Sequence, residues 1–183
     1  LELTAKELLN AAFITCGQRC TATSQAYVHR SRLDELASLL KKAVPKLPVG
    51  HPLNDHVFMG PIIDQRAKAR LLALNEQARS AGVETLYVGR DLGGAGAFLT
   101  PALRTGSWRQ HDYFTQEHFG PDLVLIPVDD EEQGLAHMNA LEYGLAGAIF
   151  CGDQKRFDDL ASRLRCGVVN WNRGTAGATG HLP

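Results

Sequence analysis

The last third of the chain alternates short apolar runs with amphipathic stretches, and no other feature restricts the fold as much. Residues 123–128, 145–150 and 168–172 each read as a strand. Between them, residues 130–141 and 153–164 carry helical spacing, the second with Phe157, Leu160, Ala161 and Leu164 inward. Strands separated by helices do not pair as hairpins. They pair in parallel, with each helix as the crossover. The expectation is an α/β domain in three layers, a parallel sheet covered on both faces by helices.

The upstream part adds the remaining elements. Thr4-Ala5-Lys6-Glu7 has capping-box spacing and predicts a helix through Leu8, Leu9, Ala12 and Phe13. Residues 25–29 read as a strand. Ser31-Arg32-Leu33-Asp34 opens a second helix with Leu33, Leu36, Leu40 and Val44 on one stripe. Residues 45–61 read as a loop. Asp64 caps a longer helix through Leu71, Leu74 and Ala78, which Gly82 ends. Residues 83–88 predict a strand, 89–96 a glycine-rich turn, and 97–121 irregular structure. A chain of 183 residues with 44% hydrophobic residues suits one domain with its own core.

Composition narrows the partners. A net charge of −1 argues against a nucleic-acid partner or a polybasic membrane anchor. No apolar run approaches the roughly 18–20 residues that span a bilayer, so no membrane role is expected. No secretory signal is visible at the start. Four cysteines without a dense framework fit a reducing, cytoplasmic setting. The chain opens at Leu1 without a methionine and stops at Pro183 after a glycine-rich loop, and is expected to be a piece of a longer protein.

The residues with chemistry are few. In Phe13-Ile14-Thr15-Cys16-Gly17-Gln18-Arg19-Cys20-Thr21-Ala22 a cysteine follows a helix in a turn of small residues. Cys20 there is either a thiolate nucleophile or a small buried hydrophobe. Cys16 and Cys20 form a Cys-x3-Cys pair, but no second Cys/His pair stands at ligand spacing. No metal is expected, and Cys16 reads as structural. Cys151 and Cys166 border strands and read as core. Glu117 reads as a solvated loop acid or a binding carboxylate. His118 beside it receives no role.

These segments resemble the aldehyde dehydrogenase superfamily, and the matches follow that family's order. Gly17-Gln18-Arg19-Cys20-Thr21-Ala22 is similar to its nucleophile motif. Met59-Gly60-Pro61, Thr100-Pro101 and Glu117-His118-Phe119-Gly120-Pro121 follow. Asn139, Tyr143-Gly144-Leu145-Ala146 and Gly167-Val168-Val169-Asn170-Trp171-Asn172 complete the series. The resemblance covers essentially the whole chain. The nucleophile motif and the stretch from Val169 to Ala178 look most like a branch that acts on succinylglutamate semialdehyde in arginine breakdown.

The resemblance implies an NAD(P)-dependent oxidation of an aldehyde to an acid. Cys20 would form a thiohemiacetal and then a thioester, with its own backbone N–H helping to hold the oxyanion. Glu117 would bind the nicotinamide ribose hydroxyls, and Phe119 would pack beside the nicotinamide. Arg173, Thr175, Gly177, Ala178 and Thr179 would belong to the loop that anchors the substrate's tail. The general base, the oxyanion asparagine and most of the dinucleotide-binding domain would lie before Leu1. Residues 1–183 would then be a catalytic domain inactive by itself, since losing a general base costs about 10²–10⁴-fold. The parent would act on a small-molecule aldehyde as a homo-oligomer. NAD and NADP stay open. So do two other readings, an acylating relative that passes the thioester to coenzyme A or phosphate, and a non-catalytic scaffold that keeps the fold.

Overall fold

The structure is a computed structural model and describes residues 1–176. Four strands form its main sheet: β1 (Gln25–His29), β2 (Glu84–Tyr87), β3 (Ala102–Thr105) and β4 (Asp122–Val128), in the order β1-β4-β3-β2. β4 runs parallel to both β1 and β3, with Gln25 opposite Val124 and Ala102 opposite Asp122. β2 joins antiparallel to β3, with an irregularity between Thr85 and Tyr87. β5 (Ala146–Ile149) and β6 (Val168–Trp171) form a separate parallel pair. The α/β class and the parallel pairing agree with the alternation in the sequence. The single expected sheet is divided into two ladders, and β2 runs against the rest.

β4 explains where the core lies. Leu123 and Leu125 pack into one apolar cluster with Phe13, Leu36, Leu40 and Met59, while Val124 and Ile126 pack into another with Ala78, Tyr113 and Phe114. Successive side chains of a strand point to opposite faces, so this one strand supplies both layers. The first layer is covered by α1 (Glu2–Phe13) and α2 (Arg30–Ala43). α2 buries Leu36 and Leu40, and Val44 continues the stripe into a short 3-10 turn at Val44–Lys46. α3 (Gln65–Ser80) starts at Asp64, whose side chain accepts from Ala67 N at 2.6 Å. It ends as Gly82 requires. Gly82 sits at φ +67°, Gly82 N bonds the Arg79 carbonyl and Val83 N bonds the Ala78 carbonyl.

Two expectations are corrected. The first helix begins at Glu2 with Leu1 as its N-cap, so Thr4 lies inside the first turn and caps nothing. Glu7 is thereby free to serve a distant loop. Residues 97–121 are not irregular throughout, since they contain β3 and the short helix α4 (Asp112–Thr115). A charged residue, Arg104, hid that strand. It is 1% exposed, because Asp122, Thr85 and Asn75 all take its guanidinium N–H groups. α5 (Glu131–Asn139) and α6 (Gln154–Arg163) contribute Leu135 and Leu160 to a third, smaller cluster beside β5 and β6. Cys151 and Cys166 are half-buried rather than core. Among the described residues no helix is long and apolar enough to cross a membrane.

Candidate active site

The motifs that lie far apart in sequence meet beneath the Cys20 turn. After α1 the chain reverses through Cys16 at φ +57° and Gly17 at φ +61°. A Cβ on Gly17 would lie 2.0 Å from the Gly120 carbonyl oxygen, so only glycine allows this close approach. Gly120 is tightly packed as well, since a Cβ there would lie 2.1 Å from Leu71 Cδ2 and would have to displace that side chain. The turn is held from its other side as well. Cys16 Sγ donates to the Gly60 carbonyl at 3.2 Å, and Gln18 Oε1 accepts from Ile63 N at 2.9 Å. The Gly-Pro motif at 60–61, the Gly-Gln motif at 17–18 and the Gly-Pro motif at 120–121 thus brace one another.

This bracing sorts the two cysteines. Cys16 is buried, and burial raises its thiol above the usual cysteine value. It is a protonated structural donor. Cys20 is exposed. It lines a cleft of about 670 Å³ together with Arg19, Glu117, Phe119, Tyr143 and Thr175. Sequence reasoning placed these residues in four separate segments, and the fold brings them to one cleft. Residues of β1 and β5, each at the edge of its own sheet, also line that cleft.

The 117–120 turn alternates between solvent and core. Glu117 and Phe119 face outward, Phe119 at φ +49° and 42% exposed, while His118 and Gly120 face inward. Its backbone is anchored from several directions. Glu117 N donates to the Tyr143 hydroxyl at 3.1 Å, and the His118 carbonyl accepts from Arg70 Nη2 at 2.7 Å. Non-glycine residues in left-handed backbone are costly and persist where the surroundings hold them. Among the described residues there are four, and Cys16, Phe119 and Asn172 fall in the motif segments.

The loop after β6 reaches the same place. Thr175 Oγ1 lies 2.6 Å from the Thr21 carbonyl and 2.7 Å from Thr23 Oγ1, directly after Cys20 in the chain. Gly174 N donates to Glu7 Oε2 at 2.8 Å, and its carbonyl accepts from Asn170 Nδ2 at 2.9 Å. Glu7 therefore holds the loop after β6, although the sequence reading assigned it to a cap. Its spacing from Thr4 pointed to the wrong partner, and no local pattern signals a contact 167 residues away. Arg173 is exposed. Gly177, Ala178 and Thr179 lie outside the described residues. Asn139 ties α5 to the end of α6 through the Arg163 carbonyl and Arg165 N, and Asn172 holds both backbone groups of Cys151. These two motif asparagines close the fold rather than face the cleft.

A model of the aldehyde dehydrogenase family matches residues 1–183. The chain belongs to the aldehyde dehydrogenase family. It is 33% identical over 184 residues to the N-succinylglutamate 5-semialdehyde dehydrogenase of Novosphingobium aromaticivorans, which covers all of this chain and 39% of that protein. It is also 33% identical over 180 residues to the alpha-aminoadipic semialdehyde dehydrogenase of Bos taurus, covering 97% of this chain and 33% of the relative. Among solved structures, betaine aldehyde dehydrogenase from Staphylococcus aureus in complex with NAD+ superposes with a TM-score of 0.93 at 26% identity. That match covers all of this chain and 37% of the other. An NADP-dependent glyceraldehyde-3-phosphate dehydrogenase from Bacillus halodurans, complexed with NADP, gives 0.89 at 31% identity over 99% of this chain and 37% of that one. The chain therefore spans less than two fifths of the length of these relatives.

Proposed function

We propose that these residues are the catalytic domain of an NAD(P)-dependent aldehyde dehydrogenase, with Cys20 as nucleophile. The observation that carries the reading is the juxtaposition at one cleft of an exposed cysteine, the Glu117–Phe119 turn and the Thr175 loop. A thiolate at Cys20 adds to the aldehyde carbon, a C–S bond forms and the carbonyl oxygen becomes an oxyanion. The Cys20 backbone N–H is a donor for that oxyanion, in a turn that Gly60, Ile63 and Gly120 already hold still. With the carbon's hydride given up to a bound dinucleotide, the C–O bond would close to a thioester, from which water releases the acid and regenerates Cys20. The base for that water lies outside these residues.

A nicotinamide dinucleotide fits the outward half of the 117–120 turn. Glu117 offers an exposed carboxylate, an acceptor for ribose hydroxyls, on a backbone fixed by Tyr143, and Phe119 offers an exposed ring. When bound, that cofactor accepts the hydride that oxidises the substrate carbon. Thr175, with Arg173 and the adjoining Gly177, Ala178 and Thr179, is assigned to the substrate's tail. An arginine with small and hydroxyl residues suits a carboxylate, and a succinylglutamate-type semialdehyde fits that chemistry. Its similarity to a named N-succinylglutamate 5-semialdehyde dehydrogenase supports this choice, and its similarity to an alpha-aminoadipic semialdehyde dehydrogenase keeps the class broader than one compound.

The test is NADH formation from succinylglutamate semialdehyde by three proteins: residues 1–183, the full-length polypeptide that carries them, and its Cys20→Ser variant. Turnover by the full-length protein alone, reduced about 10³-fold or more by Cys20→Ser, is the expected result. Undiminished turnover by the serine variant would remove Cys20 from the mechanism. Turnover by residues 1–183 alone would show that the base and the cofactor site are complete within them.

A further inference from the structure

His118 stands between two exposed side chains and is itself 4% exposed. Its ring belongs to a buried polar cluster built on three other elements. Nε2 lies 2.7 Å from the Tyr113 carbonyl oxygen of α4, so the neutral ring carries its proton there. Nδ1 faces Asp122 Oδ1 of β4 at 3.7 Å and, among the described residues, has no hydrogen-bond partner. Both oxygens of Asp122 are already engaged, Oδ2 by Arg104 Nε of β3 at 2.8 Å and Oδ1 by the Tyr113 hydroxyl at 2.7 Å. The lone pair on Nδ1 is thus aimed at a carboxylate that has no proton to give.

The charged groups around the ring compete. Burial is the largest influence and favours the neutral imidazole. Asp122 and the Tyr113 carbonyl favour the cation, and Arg104 and Arg70 oppose it. The net result holds His118 below the ordinary histidine value. A proton on Nδ1 would make it a donor to Asp122. To reach a hydrogen-bond distance near 2.9 Å the ring would have to close most of 0.8 Å. With Nε2 held by the Tyr113 carbonyl and the His118 carbonyl held by Arg70, a ring drawn toward Asp122 would pull on the backbone that carries Glu117 and Phe119.

We propose that His118 is a positioning residue for the Glu117–Phe119 turn: its neutral ring, wedged between the Tyr113 carbonyl and Asp122, sets where the carboxylate and the phenyl ring stand, and a proton on Nδ1 displaces them. The proposal rests on the cofactor assignment of that turn. It differs from a plain core role in making cofactor binding sensitive to one proton that never touches the cofactor.

The experiment is a titration of NAD binding and of the cofactor KM from pH 5 to 8, on the full-length protein and on its His118→Gln, His118→Phe and Glu117→Gln variants, each first checked for a cooperative thermal transition. Glutamine keeps an amide donor for the Tyr113 carbonyl and cannot titrate. Wild-type affinity should fall as pH drops through the folded value of His118, which burial holds below the ordinary histidine value, by at most about tenfold per pH unit, the limit for one proton, with kcat less affected. His118→Gln should flatten that profile, and His118→Phe should weaken binding at every pH, with glutamine restoring part of it. A wild-type pH profile in His118→Gln would overturn the proposal while leaving the cofactor site intact. So would wild-type binding by a folded His118→Phe. Unchanged binding by Glu117→Gln would instead overturn the cofactor assignment, and the proposal with it.

Discussion

The four-stranded sheet and the β5–β6 pair are made of similar short strands, yet they are held by different forces. In β4 every residue except Pro127 is buried, and the one ion pair at its start, Arg104 with Asp122, is closed to solvent and saturated with hydrogen bonds. In the β5–β6 unit Val168 is 45% and Trp171 37% exposed, and the buried cluster beside the pair has three residues. Its neighbouring helices are joined by exposed pairs, Arg156 with Glu131 and Arg163 with Glu132. Exposed pairs of this kind contribute little. The Cys20 turn and Phe119 are braced on the stronger unit. The weaker unit supplies Tyr143 to the Glu117 backbone and Thr175 to the segment after Cys20. The more deeply buried unit thus carries the Cys20 turn, and the less buried unit brings Tyr143 and Thr175 to the same cleft.

Breaking the buried pair should have the largest effect on that contrast. Arg104→Met leaves Asp122 buried and unpaired, and urea unfolding should show a loss of about 3–5 kcal/mol. Adding Asp122→Leu should recover much of it, and failure to recover would mean that the pair acts through more than charge. Next in size is Gly17→Ala, which forces a Cβ onto the Gly120 carbonyl at positive φ. About 1–3 kcal/mol is expected from overpacking alone, read from the same denaturation curves. A loss under a few tenths would show that the two turns are not in contact.

A pH step should follow. His118 is depressed below its unfolded value, chiefly by burial. The unfolded chain therefore binds the proton first. This contribution to stability is whole above about pH 6.5 and is lost as pH falls through the lower folded value. His118→Gln should remove that acid-side slope from unfolding midpoints measured between pH 5 and 8. Thr175→Val should cost about 1–2 kcal/mol locally, through the lost bonds to Thr21 and Thr23. It should be seen as faster amide exchange around residues 170–175 with little change in the global midpoint. The smallest effect belongs to Val168→Thr, within about 0.5 kcal/mol. Native-state exchange should release β5 and β6 before β3 and β4, and simultaneous release would erase the distinction between the two units.

Much of this was legible without coordinates. The apolar run of β4, the stripe of α2, the Asp64 start and Gly82 stop of α3, and the α/β class all follow from short-range pattern, because local pattern is set by which faces of an element are buried. The motif order also pointed to the family that the whole-chain match establishes. What stayed hidden has one cause in common, a partner far away in the chain. β3 was missed because Arg104 looks like a surface residue until Asp122, Thr85 and Asn75 enclose it. Glu7 was read as half of a capping box because its real partner is the Gly174 amide. His118, flanked by two exposed residues, looked idle.

The amino-acid sequence by itself determined every long helix, most of the strands, and the set of small and chemically active residues from which a site could be made, while the short α4 escaped it. Only the tertiary structure decided which cysteine is a buried donor and which is exposed, that two ladders form instead of one sheet, and that Gly17 lies against Gly120. Those outcomes depend on close approach between segments tens of residues apart. Burial and desolvation are properties of the assembled surroundings, so no local pattern encodes them.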